Sequence, residues 1–358
     1  MTHHSSLTLG MDISDKHCHL AVLDDSGSVV LRDRVRTTRE AVGAWFDRFS
    51  PADVQRVALE VGPHSPWLSR MLTAEGFEVV VGNPRKIALI SGSDNKSDEV
   101  DAETLARLAR VDPALLSPVQ HRSEATQSAR AMLKARDAAV RSRTALINTV
   151  KGQAKAVGHP MTGGSAAAFH HRTDELPEVL AAALAPLLQL IGQLTAQIQH
   201  YDRVIDELCV EVYPETELMT AIWGVGNLTA LAFVLTIEVP ERFPTSRAVG
   251  SYLGLRPRRD QSGDVDRQLR ITKAGDPFLR RLLVQCAHRI LNANGPDCDL
   301  KRWGLRLADR GGKTAKKRAV VAVARKLAVL MHRLWVNGMV YDPLYLARQR
   351  DPELQPAA

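Results

Sequence analysis

The sequence predicts three parts: an α/β front domain, a long α-helical hairpin or coiled coil, and a mostly α-helical back domain. Three observations carry this. Residues 7–110 alternate short strand-like runs with helical patterns. Two helix-length stretches between Arg122 and Leu208 flank a loop rich in Gly, Ser, Ala and His. Beyond Pro214 the longer apolar segments have helical length and are punctuated by glycine. The boundaries fall at 1–115, 116–212 and 213–358, and a chain of 358 residues is long enough for two or three cores.

In the front domain, Leu7–Leu23 and Val29–Val35 read as a hairpin around Asp24-Asp25-Ser26-Gly27. A helix near Arg39–Phe49, a strand Arg56–Val61, a helix Pro66–Ala74 and a strand Glu78–Val81 follow. Leu7, Leu9, Met11 and Ile13 share one strand phase, and Thr8, Gly10 and Asp12 take the other. Likewise Val57, Leu59 and Val61 oppose Ala58 and Glu60. Asp12 and Glu60 therefore project from the face carrying small residues, which leaves room for a ligand and a helix.

The helix that suits this face starts after Ser97, a good N-cap, and meets no Gly or Pro before Arg110. Asp98 and Asp101 share a stripe with Leu105 and Leu108, apart from a polar stripe of Glu99, Glu103, Arg107 and Arg110. Both carboxylates are thus expected on the buried side. The helix dipole alone favours acids in a first turn, which accounts for Asp98 better than for Asp101. Buried carboxylates need a counter-charge, and a divalent metal supplies one. Asp12, Glu60, Asp98 and Asp101 together have the layout of a two-metal nuclease site.

The stretch Arg122–Val157 reads as one helix in which Arg130, Lys134, Arg136, Arg141, Arg143, Lys151 and Lys155 face only Glu124 and Asp137. Its basic face is either a solvated spacer or a nucleic-acid clamp. A second helix carries the heptad Leu187, Ile191, Leu194, Ile198, Tyr201, Ile205, Leu208. The two fold back as an antiparallel hairpin or pair with another subunit. Further on, Ile222-Trp223-Gly224-Val225-Gly226 resembles the turn of a helix-hairpin-helix, and a plain helix–helix turn fits equally.

Eight basic residues lie between 256 and 281: Arg256, Arg258, Arg259, Arg267, Arg270, Lys273, Arg280 and Arg281. Ser262-Gly263 has turn composition, yet Ser262 stands where these arginines would hold a phosphodiester and stabilise its developing charge. No histidine partner for a triad is evident nearby, which disfavours an acyl hydrolase. The tail adds Lys313, Lys316, Lys317 and Arg318 ahead of an apolar helix through Trp335.

Net charge is +7, unevenly spread: residues 1–110 hold 13 Lys plus Arg against 16 acids, and 301–350 hold 13 against 2. An acidic front and a basic back suit catalytic carboxylates joined to a phosphate-binding surface. The four cysteines, Cys18, Cys209, Cys286 and Cys298, lack metal-ligand spacing and read as reduced thiols. His17-Cys18-His19 could be a ligand cluster, but with no second ligand pair elsewhere it reads as strand residues. There is no run of eighteen apolar residues and no signal-peptide shape, so the expectation is a cytoplasmic protein without a membrane partner.

Met11-Asp12-Ile13, Glu60, Asn83-Pro84 and Asn95-Lys96-Ser97-Asp98-Glu99-Val100-Asp101-Ala102 resemble the front domain of DEDD-type insertion-sequence transposases, the group related to the Piv DNA invertase. Ile222–Gly226, Gly254–Arg259, Ser262-Gly263 and Thr272–Asp276 with Leu279-Arg280-Arg281 resemble its second domain. The resemblance implies a RuvC-like, ribonuclease-H-type fold in front and a transposase domain behind. It implies that Asp12, Glu60, Asp98 and Asp101 hold Mg²⁺, two ions of it, with Mn²⁺ as a variant, and that Ser262 attacks DNA. It further implies donor and target DNA, a noncoding bridge RNA as guide, and a homodimer or homotetramer whose second subunit completes the site. Val61-Gly62-Pro63-His64-Ser65-Pro66-Trp67 departs from the turn relatives usually carry after the glutamate. The alternatives are a metal-dependent RuvC-like junction nuclease without a covalent intermediate, and a binding protein without catalysis.

Overall fold

The computed structural model describes residues 6–84, 97–262 and 265–350. Asn95, Lys96 and Gly263 of the motifs above, and the side chains of Ser262 and Lys313, lie outside the described residues. The chain divides into two units after Ser123.

The first unit is built on five strands, β1 Leu7–Ile13, β2 His17–Leu23, β3 Val29–Arg36, β4 Val54–Glu60 and β5 Val79–Gly82. Their order is β3-β2-β1-β4-β5, with β1, β4 and β5 parallel and β2 antiparallel to both its neighbours. Leu7–Leu23 is thus two strands, where the sequence suggested one arm of a hairpin. Ser14-Asp15-Lys16 has nothing apolar to bury, and the Ser14 N–H and hydroxyl both donate to the His17 carbonyl, at 3.0 and 2.8 Å. That short turn folds β2 back along β1.

Three helices cover the sheet: α1 Arg39–Phe46, α2 Ser65–Ala74 and α3 Asp98–Val111. Leu9, Met11, Val57 and Leu59 pack with Trp45 and Phe46 of α1 and Leu68 and Leu72 of α2. The opposite face takes α3. A Cβ on Gly10 would stand 1.9 Å from the Ala102 carbonyl oxygen and 2.6 Å from the Ala106 nitrogen, so only glycine lets helix backbone come this close. Beside that contact, Leu105, Leu108 and Ala109 cluster with Ala58, Val80 and Leu116. Ser97 caps the helix, its hydroxyl accepting from the Val100 N–H at 3.3 Å. Arg107 and Arg110 donate to the carbonyls of Gly27 and Asp25 in the β2–β3 turn, at 3.1 and 2.9 Å.

The second unit opens with α4 Glu124–Ala156 and α5 Glu178–Glu211. Arg136 bonds Asp202 at 2.6 Å and Arg143 bonds Thr195 at 3.2 Å. Seven residues forward on one helix is seven back on the other, so the pair is antiparallel. The seam differs from the expected heptad: Leu184, Leu188, Ile191, Thr195, Ile198, Ile205 and Cys209 are buried, while Leu194, Tyr201 and Leu208 are half-buried. Thr195 and the half-buried Asp202 hold seam positions because α4 offers arginines to bond them. By length and composition α5 is also apolar enough to cross a membrane.

The core of this unit forms around α6 Asn227–Ile237, buried throughout from Thr229 to Ile237. Around it lie α7 Ser246–Tyr252, α8 Pro277–Ile290, α9 Asp299–Ala308, α10 Gly312–Asn337 and the short α11 Tyr345–Arg350. The basic stretch around Ser262-Gly263, for which no strands were expected, contains a hairpin of β6 Pro257–Ser262 and β7 Val265–Ile271, antiparallel, with Asp260 opposite Arg267. β6 is polar after its proline, and Arg267 interrupts the apolar alternation of Val265, Leu269 and Ile271 in β7, so the strand signal is weak.

Gly10→Ala should cost about 3 kcal/mol through overpacking against α3, measured by urea denaturation. A loss below about 0.5 kcal/mol, the scale of an ordinary surface change, would show that α3 is not seated there.

Candidate active site

Asp12 and Glu60 end up side by side because β1 and β4 run parallel in register, with Met11 beside Leu59 and each acid one step further on. Both are half-buried, at the carboxyl ends of adjacent central strands, where open α/β sheets commonly place ligands. The third acid comes from α3. Asp101 is buried, its residue only 6% exposed, whereas Asp98 begins the helix with a side chain 59% exposed. The expected burial of both holds for Asp101 alone: the first residue of α3 overhangs the rim of the sheet.

The acids feel one another. Burial raises the pKa of Asp12 above the usual carboxylate value, and the charges of Asp98 and Asp101 raise it further; His19 and the Ile13 N–H work the other way. His19, which the sequence offered only within a possible ligand triplet and then as a strand residue, belongs to this group. The break at Ser14–Lys16 pairs it directly with Asp12 across β1 and β2, and its Nε2 lies 3.5 Å from Asp98 Oδ2. The signal was present in the polar triplet at 14–16, but it becomes legible only once the turn is placed.

Among the described residues no three His, Cys, Asp or Glu side chains have closed into a coordination shell. In kind the donors nonetheless fit a hard divalent cation, since they are carboxylate oxygens that repel one another at one end of the sheet.

Ser262 ends β6, opposite Val265. The basic residues around it divide into two groups. Arg130 forms an ion pair with Asp276, which caps α8 by accepting from the Phe278 and Leu279 N–H groups, and donates to Thr236 at 2.7 Å. Burial opposes the charge on Asp276, but the Leu279 N–H and Arg130 outweigh it and hold its carboxyl below the usual value. Arg280 donates to the Leu253 and Ala274 carbonyls at 3.1 and 2.8 Å, and Arg281 and Arg141 both pair with Asp137. Those four arginines therefore already serve the fold. In contrast, Lys134, Arg256, Arg258, Arg267, Arg270, Lys273, Lys316, Lys317 and Arg318 are exposed. Arg259 is exposed beside them.

A DEDD-type transposase model matches residues 9–157, and a model described as transposase of the IS116/IS110/IS902 family matches residues 216–300. The chain belongs to the IS110/IS116 family of transposases. Its relatives include the transposase for insertion sequence element IS1111A of Coxiella burnetii, 29% identical, with 93% of this chain and 90% of the relative covered. The transposase for IS1328 of Yersinia enterocolitica is 28% identical over 93% of this chain and 98% of the relative. A pilin gene-inverting protein of Moraxella bovis is 26% identical over 41% of this chain and 44% of the relative. This transposase is accordingly an enzyme that cuts and rejoins DNA.

The raised pKa of Asp12 makes a signed prediction. Its contribution to folding is fully present below the ordinary value of 3.8 and is lost as pH rises through the higher folded value. Asp12→Asn should therefore melt above the parent at neutral pH, as read by thermal denaturation. The gap should close on acidification. A variant that melts lower at neutral pH would mean that the acids do not repel.

Proposed function

We propose that Asp12, Glu60, Asp98 and Asp101 form a divalent-metal site, occupied by one or two Mg²⁺ ions or by Mn²⁺, and that Ser262 is the nucleophile. The observation that carries this is geometric: Asp12 and Glu60 end adjacent parallel strands, and α3 brings Asp98, 3.5 Å from the His19 that pairs with Asp12, and the buried Asp101 to the same sheet. The strand order, with β2 alone reversed, supports a RuvC-like, ribonuclease-H-type reading of 1–115. The helical pair of 116–212 and the transposase domain of 213–358 complete the division of labour.

When bound, the cation would offset the charge that builds on the phosphodiester oxygens. Ser262 Oγ gives up its proton and forms a bond to phosphorus as the bond to one DNA oxygen breaks; that oxygen takes a proton. Rejoining runs in reverse, with a DNA hydroxyl attacking the phosphoserine. The exposed Arg256, Arg258, Arg267 and Arg270 hold the phosphate and its neighbours. A noncoding bridge RNA pairs with donor and target DNA, so that base pairing chooses the sequence and the protein reads the backbone. The enzyme works as a homodimer or homotetramer in a prokaryotic cytoplasm, the carboxylates of one subunit serving the serine of another.

Protein, flanking RNA and cognate DNA are incubated with Mg²⁺ and denatured. Ser262→Ala should lose the protein-linked DNA; free cut ends that persist in this variant would point to a junction nuclease instead. Asp12→Ala should lower cleavage by more than the 10–100-fold typical of an outer-shell change. Mg²⁺ should raise the melting temperature of the parent and leave that of Asp12→Ala unmoved; equal shifts would sink the metal site.

A further inference from the structure

A cavity of about 480 Å³ in the second unit has no part in the chemistry above. It opens at the turn before α6, and its lining includes Trp223, Gly224, Arg289, Asp297 and Tyr341. We propose that this cavity seats an unpaired nucleotide of DNA or RNA, its base stacked on Trp223 and its phosphate on Arg289.

Ile222 and Val225 are buried on either side of Trp223, at 1% and 6% exposure, yet Trp223 itself is 49% exposed. The turn is thus anchored while its largest apolar side chain is presented to solvent, at a cost that a stacking partner would recover. The indole lies over Gly295, where a Cβ would stand 3.0 Å from its Nε1. Gly224 has φ +88°, and a Cβ there would stand 3.1 Å from Arg289 Cβ and 3.3 Å from the Cys286 carbonyl oxygen. That glycine lets the turn rest against α8, which brings Arg289 beside Trp223.

The charge of the site is positive. Arg289 is exposed, and its side chain makes no hydrogen bond or ion pair among the described residues. Asp297, the acid in the lining, is already committed to Arg302 by bonds of 2.8 and 2.5 Å. The volume falls in the range of roughly 300–1,000 Å³ usual for small-ligand sites. An aromatic ring with a free guanidinium beside it matches the two halves of a nucleotide, base and phosphate. An apolar protein partner would instead bury Arg289 without a counter-charge. An enzyme that opens DNA presents unpaired nucleotides, from the DNA or from an RNA paired with it. This inference does not depend on the metal site or on Ser262.

Fluorescence anisotropy of the full-length protein with short labelled oligonucleotides tests it, using single-stranded DNA, single-stranded RNA and duplex DNA. Trp223→Ala should weaken single-strand binding about tenfold and leave duplex binding unchanged, with Trp223→Phe close to the parent. Arg289→Ala should weaken single-strand binding and lower its salt slope by about one. The strand type that loses more names the source. Should Trp223→Ala fail to fold, quenching of tryptophan emission by the single strand, present in the parent and absent in Trp223→Phe, decides in its favour. Equal losses for single strand and duplex, or none, would overturn the proposal. So would a changed oligomeric state with unaltered oligonucleotide binding, which would make the patch a protein interface.

Discussion

The contact between Gly10 and the backbone of α3 governs the first unit. A helix normally stands off a sheet by the length of its side chains, but here Ala102 and Ala106 come down onto a strand position that has none. The separation and the rotation of α3 are both set by this. Leu105 and Leu108 then turn toward Ala58 and Val80, each burial worth about 1.5–3 kcal/mol as an upper figure. The ion pair of Glu103 with Arg32 and Arg107 lies near the surface and adds little. Asp101 is carried into the interior because it shares the helix face that this packing selects.

That arrangement works against the preference of the carboxylates themselves. Asp12 loses solvent and gains two like charges, and among the described residues His19 and one backbone N–H ease it. A chain selected for stability alone would avoid this. Locally unfavourable electrostatics held in place by a good hydrophobic core is what a site that binds or reacts with something charged requires. Arg130 and Asp276 show the opposite case in the second unit. There a half-buried acid is matched by a cation and two backbone donors, and the result is a helix cap.

Much of the first unit was legible because its signals are local. The alternation of Leu9 and Met11 with Gly10 and Asp12 separates the two sheet faces correctly, and Ser97 marks the start of α3. What sequence missed depends on partners distant in the chain. Thr195 and Asp202 look unsuited to a helical seam until Arg143 and Arg136 are seen across from them. His19 has no visible role until β2 folds back. The β6–β7 hairpin is nearly silent because β6 is polar after its proline and Arg267 interrupts the apolar alternation of β7. Among site residues, Asp12, Glu60 and Asp101 follow from pattern, whereas the role of Ser262 comes from family resemblance.

That hairpin has a second consequence. A two-stranded ribbon has no interior strand, so each of its strands presents one unpaired row of backbone N–H and C=O groups, open to pairing with any other chain. The exposed Arg258, Arg259, Arg267 and Arg270 stud both strands. Like charges on a second copy would repel, which discourages edge-to-edge stacking of these ribbons in a crowded cell. A polyanion laid along them would remove that repulsion, so the residues suited to gripping a phosphate backbone also keep the ribbon solitary until one arrives.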